Sequence, residues 1–284
     1  MITMTDHKFE LIDGIKCYAP DLAEQNEDFQ SEGFDLLFRV EEKNFWFRSR
    51  NRIIKHLFKK YLGTDKERNI LEIGCGTGFV LKGLSEYKNY NLTGAEIHLA
   101  GLKYARMRLP GAEFIQVDAT RMPFENQFDA IGTFDVLEHI SEDRLVMKNI
   151  FKALKPGGLF FITVPQHQFM WSAADDIAFH KRRYSRKELA GKIKDSGFSV
   201  EYTGSFVTSL FPAMYLSRVH KKYFTKEEEI NLEKNSELEL SPGINSIFEK
   251  IMKLDELMIR SNLSLPFGGS LVMVARKSKP GISV

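Results

Sequence analysis

Apolar residues recur along this chain in short runs of strand type that alternate with segments of helical period. The first run, residues 69–73, is followed by a helix-period pattern that begins at Phe79. Lys155-Pro156-Gly157-Gly158 ends a helix, because proline and paired glycines do not continue one. The other runs of this type lie at 91–96, 113–117, 128–134, 159–165, 198–204 and 269–276. The alternation predicts one α/β domain with additions, built on a mostly parallel sheet.

Helical patterns flank this alternation. Positions 34–61 carry apolar residues at helical spacing in two segments joined near Asn44, which predicts two amphipathic helices that cap the first strand. Residues 245–259 predict another helix, and the acidic segment 226–240 predicts a solvated linker. We therefore divide the chain into a lead-in and helical cap (1–62), a core (63–205), a helical and linker insertion (206–265), and a last strand with a tail (266–284).

An apolar stretch at 206–219 is followed by His220-Lys221-Lys222. It is too short to span a bilayer, which needs about 20 apolar residues. A substrate lid, a dimer surface and a segment lying in a membrane interface all fit this pattern, the last because Arg218 and the two lysines supply cations. The range 206–222 is therefore a candidate peripheral membrane contact.

Composition narrows the class of protein. With 43% hydrophobic and 27% charged residues among 284, the chain has the make-up of a soluble globular protein. Its 40 basic residues nearly balance its 38 acidic ones, for a net charge of +2, which argues against nucleic-acid binding. Cys17 and Cys75 lack disulfide or metal spacing, and residues 1–20 lack the apolar segment of a secretory signal. We expect a cytoplasmic protein.

Three glycines at two-residue spacing, Gly74, Gly76 and Gly78, join the first strand to its helix. Without Cβ atoms they let the backbone pass close to a ligand, and free N–H groups at a helix start favour an anionic group. The dinucleotide fingerprint needs Gly-x-Gly-x-x-Gly, and here the third glycine comes one residue early. The turn predicts a nucleotide-like cofactor, although a purely structural bend could use the same glycines.

The arrangement Glu72-x-Gly74-x-Gly76-x-Gly78 resembles motif I of the class I S-adenosylmethionine-dependent methyltransferases. Glu96 ends the second strand, where a Rossmann-type fold holds a ribose-binding carboxylate. Asp118 ends the third, where the family places an acid near the adenine amine. The resemblance covers about residues 45–205 and implies a Rossmann-like, doubly wound, seven-stranded and mostly parallel sheet with S-adenosylmethionine as cofactor. The residues assigned to the cofactor are Glu72, Gly74, Cys75, Gly76, Gly78, Glu96, Ile97, Asp118, Ala119 and Asp135.

Other roles remain open for the two acids, since Glu96 could be a surface acid at a strand end and Asp118 a turn residue. A nicotinamide-dependent oxidoreductase and a non-catalytic cofactor-binding protein are the alternative functions. The fourth strand is followed by Asp135-Val136-Leu137-Glu138 rather than by Asn/Asp-Pro-Pro-Tyr/Phe, which disfavours methylation of DNA amines or protein glutamine. We expect a small-molecule or lipid-linked acceptor. No pattern identifies that acceptor or the oligomeric state.

Candidates for the chemistry lie where the fourth and fifth strands end, because ligands bind at the carboxyl ends of parallel strands. His180 is the first choice for a base, since imidazole titrates near neutrality, although it could instead bond its loop to the fold. His167 and Asp135 are the other catalytic candidates. Asp175 and Asp176 with His167 and His180 could form a metal site, but they lack compact ligand spacing, so no metal is expected. The candidate substrate contacts are Trp46, Arg48, His139, Trp171, Arg183 and Tyr184.

The loop after the fifth strand carries a second resemblance. Its Trp171-Ser172-x-x-Asp175 and His180-x-Arg182-Arg183-Tyr184 patterns are similar to those of a subgroup of bacterial methyltransferases often linked to glycan or lipid biosynthesis. Loops of this length between core elements commonly carry function. We expect this loop to face the acceptor.

Overall fold

A computed structural model describes residues 8–23, 31–224 and 240–278. The acidic segment predicted as a linker lies outside these ranges except for its last residue. The strands are β1 (Glu10–Ile12), β2 (Ile15–Cys17), β3 (Arg68–Ile73), β4 (Tyr90–Glu96), β5 (Glu113–Gln116), β6 (Phe128–Phe134), β7 (Leu154–Pro165), β8 (Phe198–Phe206) and β9 (Ser270–Lys277). The helices are α1 (Ser31–Val40), α2 (Phe45–Tyr61), α3 (Phe79–Leu84), α4 (Leu99–Arg108), α5 (Asp143–Ala153), α6 (Ala173–Ile177), α7 (Arg186–Asp195), α8 (Phe211–Phe224) and α9 (Pro242–Arg260), with 3-10 turns at Pro20–Leu22, Ala119–Arg121, Leu137–His139 and Gln168–Met170.

The described strands form one sheet in the order β1-β2-β5-β4-β3-β6-β7-β9-β8. Strands β3 to β7 are parallel, and helices cover both of their faces, which is why each reads as a near-continuous apolar run. The chain winds outward from β3 through β4 to β5 and then crosses back to β6. The strand order therefore reverses between β3 and β6, and a crevice at their carboxyl ends is where such a sheet binds ligands.

The predicted α/β fold class is confirmed, with a difference in strand number. Strand β9 pairs antiparallel with both β7 and β8, as expected for the last strand. Seven strands were predicted, and the described residues form nine, because β1 and β2 extend the sheet beyond β5. The Gln116 side chain holds this extension, since its amide exchanges hydrogen bonds with the Ala19 backbone at 3.0 and 2.8 Å.

The two cap helices α1 and α2 are present where the periodicity predicted them. Asn44 caps the start of α2 by accepting from the Trp46 N–H at 2.8 Å. One face of α2 is buried on the sheet, where the Phe58 ring stacks on Phe161 at 3.9 Å between centroids. The same helix contacts α9 through Arg52, which hydrogen-bonds Glu256. Helix α2 is thus fixed between the sheet and α9.

The apolar stretch predicted at 206–219 divides between the end of β8 and helix α8. In the described part of the chain, no helix is long and apolar enough to cross a membrane.

Candidate functional site

The glycine turn lies between β3 and α3, with all three glycines at positive φ: 67° for Gly74, 49° for Gly76 and 76° for Gly78. A Cβ on Gly74 would lie 2.4 Å from the Val136 side chain, and one on Gly78 would lie 3.1 Å from Ala105. At Gly76 the nearest atom would be on the Phe34 ring, 3.9 Å away. Gly74 and Gly78 are therefore required by packing, whereas Gly76 leaves space that a ligand can approach.

Glu96, at the end of β4, is tied directly to this turn. One carboxylate oxygen accepts from the Gly76 N–H at 3.0 Å, and the other accepts from the N–H groups of Ile97 at 2.8 Å and His98 at 3.2 Å. The side chain is buried. The glycine turn and Glu96, the two features from which the sequence predicts a cofactor, are therefore in direct contact.

Asp118, after β5, has a local role. Its carboxylate accepts from the Thr120 N–H at 2.8 Å and from Arg121 Nε at 2.8 Å, which caps the 3-10 turn that contains Ala119. This is the turn role that the sequence left open. The buried Ala119 and the half-buried Ile97 provide the apolar surface expected beside the turn.

Glu72 and Cys75 are both buried at the turn. Glu72 is 3% exposed, and its Oε2 has no hydrogen-bond partner in the described structure. Burial raises the pKa of Glu72 well above its ordinary value, against a smaller opposite effect of Arg50. Burial likewise raises the pKa of the Cys75 thiol. Burial therefore disfavours the charged form of Glu72, and a nearby cation would favour it.

Arg50, which sequence reasoning did not select, joins the cap to the end of β6. Its guanidinium forms an ion pair with Asp135 and lies 4.5 Å from the centroid of the Trp46 ring. Asp135 also accepts from Thr163 Oγ1 at 2.9 Å and has φ of 59°, an unusual conformation for a non-glycine residue. Helical spacing could have found Arg50, because residues four apart such as Trp46 and Arg50 share a helix face.

Arg48, predicted as a substrate contact, lies against α9 in this structure. Its side chain is 43% exposed and pairs with Glu249 of α9 at 3.0 Å. Arg48 and Arg50 are two positions apart, so they face different sides of α2. Arg50 is the cation of this helix that reaches the strand ends.

A second missed group fastens α1 to the glycine turn. Glu41 accepts a hydrogen bond from Thr77 Oγ1 and forms an ion pair with Arg108 at 2.5 Å. Arg108 also donates to the carbonyls of Thr77 and Phe38, each at 3.0 Å. We call Glu41, Thr77 and Arg108 the cap latch. No local pattern predicts it, because its members come from three separate elements.

The loop between β7 and α7 is built around Asp175. This carboxylate is 1% exposed and accepts from Arg183 Nε at 2.7 Å and Nη2 at 3.0 Å, and it lies 2.9 Å from His180 Nδ1. Burial alone would raise the pKa of Asp175, but the hydrogen bonds from His180 and Arg183 outweigh it and hold the pKa below its ordinary value. His180 is therefore oriented by a buried, ionised aspartate.

The same loop brings His180 to the end of β6. Its backbone is pinned there because the Lys181 N–H donates to the Glu138 carbonyl at 2.7 Å. The His139 and His180 rings meet edge to face at 4.7 Å, and His180 Nε2 lies 3.9 Å from Glu138 Oε1. Partial burial, and then the neighbouring His180, lower the pKa of His139 to about 3. Burial, and then Asp135, raise the pKa of Glu138 well above its ordinary value.

Other candidates of this loop have different places. His167 follows β7 with φ of 65° and stacks on Phe169 at 4.9 Å, and Trp171 donates to the exposed Asp176 at 3.0 Å. Tyr184, predicted as a substrate contact, is fully buried, and its hydroxyl lies 2.8 Å from the Asp143 carboxylate. Arg183, predicted for the same role, is also buried and pairs with Asp175.

Comparisons with known proteins agree with the fold. Residues 71–162 match the family model described as a methyltransferase domain. A probable S-adenosylmethionine-dependent methyltransferase of Mycolicibacterium smegmatis is 26% identical over 166 residues, 57% of this chain and 62% of that protein. A ubiquinone biosynthesis O-methyltransferase of Idiomarina loihiensis is 28% identical over 111 residues, 37% of this chain and 45% of that protein.

Among solved structures, phosphoethanolamine N-methyltransferase 2 of Haemonchus contortus in complex with S-adenosyl-L-methionine has a TM-score of 0.59 at 18% identity. The match covers 91% of this chain and 60% of that one, and at this identity it shows a shared fold. The chain spans less than two thirds of the length of each of these relatives.

Proposed function

We propose that this chain, a member of the class I S-adenosylmethionine-dependent methyltransferases, transfers the methyl group of this cofactor to a small or lipid-linked acceptor. The observation that carries the proposal is the union of the glycine turn with Glu96. The open Gly76 and a buried carboxylate 3.0 Å from its N–H make a rigid site for a ribose-bearing cofactor.

The residues at this place fit S-adenosylmethionine. An ionised carboxylate has about four acceptor positions, so Glu96 can receive a ribose hydroxyl beyond its three backbone donors. Ile97 and Ala119 offer apolar surface for the adenine. The buried Glu72 oxygen without a partner would be compensated by a cationic group of the ligand, and this cofactor carries both a sulfonium and an ammonium.

S-adenosylmethionine supplies a methyl group on a sulfonium sulfur, whose carbon–sulfur bond breaks as the bond from acceptor to carbon forms. The chain has to align the acceptor and exclude water. The cap latch holds α1 on the glycine turn, and the Arg50–Asp135 pair holds α2 over the end of β6. We infer that these contacts close the site around both substrates.

An acceptor hydroxyl or amine must also lose one proton. His180 can take it at Nε2, because Nδ1 lies 2.9 Å from Asp175, which fixes the tautomer and stabilises the imidazolium. The sequence left two roles open for His180, a base and a structural histidine, and we propose that it is the base. His167, on the other side of the loop, is the second candidate.

The surface beside His167 supports an acceptor with an apolar part. Four aromatic rings, which we call the aromatic patch, lie within 6.5 Å of a neighbour between centroids: Phe169, Phe211, Tyr215 and Phe267. Phe169 is 65% exposed and Tyr215 44%. Exposed aromatic rings next to a site are typical of surfaces that bind apolar ligands or lie in a membrane interface. We propose that a lipid-linked acceptor approaches here.

The proposed membrane contact of 206–222 rests on this patch rather than on Arg218. That arginine lies 3.6 Å from Asp175, and the side chains of Lys221 and Lys222 are outside the described structure. Sedimentation with anionic vesicles tests the contact, with a Phe169→Ser, Tyr215→Ser variant as the comparison. Equal recovery of both proteins in the supernatant would contradict it.

The function itself is tested in two steps with the full chain. Calorimetric titration should show binding of S-adenosylhomocysteine and none of NAD, and a preference for NAD would overturn the cofactor assignment. Labelled methyl should then pass from S-adenosylmethionine to a small-molecule or lipid fraction of a cell extract. Binding of S-adenosylhomocysteine without transfer to any fraction would favour a non-catalytic binding protein.

A further inference from the structure

The end of β6 holds a buried acid that the methyl-transfer site does not explain. Glu138 is 0% exposed, and neither of its carboxylate oxygens has a hydrogen-bond partner in the described structure. Burying a polar group without a partner is costly, and buried acids in proteins are usually paired, hydrogen-bonded or bound to a metal. Within the described residues, Glu138 therefore lacks a hydrogen-bonding counterpart.

Two histidines face this acid. One ligand atom each from Glu138, His139 and His180 lie within 4.8 Å of one another, with His180 Nε2 3.9 Å from Glu138 Oε1. A zinc ion lies about 2.0–2.1 Å from a histidine nitrogen and at a similar distance from a carboxylate oxygen. The three ligand atoms would therefore have to move somewhat closer to one another to bind it. Small rotations of the three side chains would provide that contraction.

Both histidines have defined contacts. His180 Nδ1 lies 2.9 Å from the buried Asp175, and that aspartate is fixed in turn by Arg183. The His139 ring packs edge to face against the His180 ring at 4.7 Å between centroids. Histidines that bind metals usually donate their other N–H to a carboxylate or a carbonyl, which fixes the ring orientation and the tautomer. His180 has this arrangement without any metal being needed to impose it.

We propose that Glu138, His139 and His180 bind a zinc ion. Two imidazole nitrogens with one carboxylate suit zinc better than magnesium, which prefers oxygen ligands throughout. Three protein ligands leave a fourth position open for water or for an acceptor oxygen. Zinc there would lower the pKa of that oxygen, so an acceptor hydroxyl could lose its proton to solvent while His180 remains a ligand.

The proposal is tested by metal binding in the absence of cofactor and acceptor, so its outcome is independent of methyl transfer. Chelator-treated full-length protein is titrated with zinc sulfate at pH 7 by calorimetry, and one equivalent should bind. The Glu138→Gln variant keeps the size of the side chain and removes the charge. Since the loss of an outer partner alone costs about 10–100-fold in metal affinity, the loss of this ligand should cost at least about 100-fold.

His180→Ala should also lose zinc affinity, whereas His56→Ala, which removes a half-buried histidine of α2 outside the cluster, should bind as the wild type does. Circular dichroism and S-adenosylhomocysteine binding check that each variant is folded. The proposal is overturned if folded wild-type protein binds no zinc, or if Glu138→Gln and His180→Ala bind it as tightly as the wild type. If millimolar magnesium saturated the site and zinc did not, the assignment of imidazole ligands would equally be overturned, because magnesium prefers oxygen ligands.

Discussion

Replacement of Asp175 by asparagine tests how the loop between β7 and α7 is held together. The carboxylate is 1% exposed and receives two hydrogen bonds from Arg183, at 2.7 and 3.0 Å, and one from the Ser172 N–H at 2.8 Å. Asparagine has the same shape but no charge, so the guanidinium of Arg183 would be left buried without its partner. Breaking a buried ion pair in this way costs about 3–5 kcal/mol.

Urea unfolding at pH 7, followed by circular dichroism, measures that cost. A loss of about 3–5 kcal/mol is a large part of the roughly 5–15 kcal/mol by which domains are usually stable. Asp176→Asn is the matched control, because Asp176 is the next residue and is exposed, with only a hydrogen bond from Trp171. That variant should lose no more than about 1 kcal/mol. Equal losses in the two variants would refute the reasoning.

The pH dependence of the difference identifies its origin. Burial would raise the pKa of Asp175, but His180 and Arg183 hold it below the ordinary value of 3.8. A carboxylate with a lowered folded-state pKa contributes stability above its unfolded pKa and loses it as the pH falls through the folded one. The difference between wild type and Asp175→Asn should therefore be full at neutral pH and narrow below pH 3.8. A difference that stays constant in acid would mean that packing, not charge, is responsible.

Three further outcomes are expected. Glu96→Gln should weaken S-adenosylhomocysteine affinity by about 1.5–3 kcal/mol in calorimetry, since a charged acceptor is lost, while Glu113→Gln at the far end of β5 should not. His180→Ala should lower the methyl-transfer rate with little change in that affinity, and an unchanged rate would remove His180 from the chemistry. The pKa of His139 is lowered to about 3, so the folded protein resists the proton that the unfolded chain takes up below pH 6.5. Chelator-treated protein should therefore lose stability as the pH falls from 6.5 toward 3, by up to about 1.4 kcal/mol per pH unit. His139→Asn should flatten this slope in acid unfolding curves.

Local sequence pattern was sufficient to predict the strands of the core, the two cap helices and the glycine turn. The strand runs and the face of α2 could be predicted because alternation and helical period record which side chains leave water. The turn formed by Gly74, Gly76 and Gly78 could be predicted because glycine readily adopts positive φ, and all three glycines do so. The contact of Glu96 with Gly76 came from the structure, in which the parallel strands β3 and β4 end at the same edge of the sheet.

Contacts between distant segments were beyond the reach of such patterns. The sequence pointed to Arg48 and Tyr184 as substrate contacts. The structure pairs Arg48 with Glu249, places Arg50 on Asp135 and buries Tyr184 against Asp143. The metal site weighed from the sequence was Asp175 and Asp176 with His167 and His180, whereas the fold brings His180 together with Glu138 and His139.

What the sequence by itself determined was the α/β fold class and the glycine turn that we propose as the site of the methyl donor. What only the tertiary structure decided was which loops meet at the strand ends: the cap latch on the turn, Arg50 on Asp135, and His180 beside Glu138. The physical reason is that periodicity encodes the burial of each side chain, while the meeting of two loops depends on strand order and on the backbone hydrogen bonds that pin them. The bond from Lys181 to the Glu138 carbonyl, which brings His180 to the end of β6, leaves no trace in the sequence.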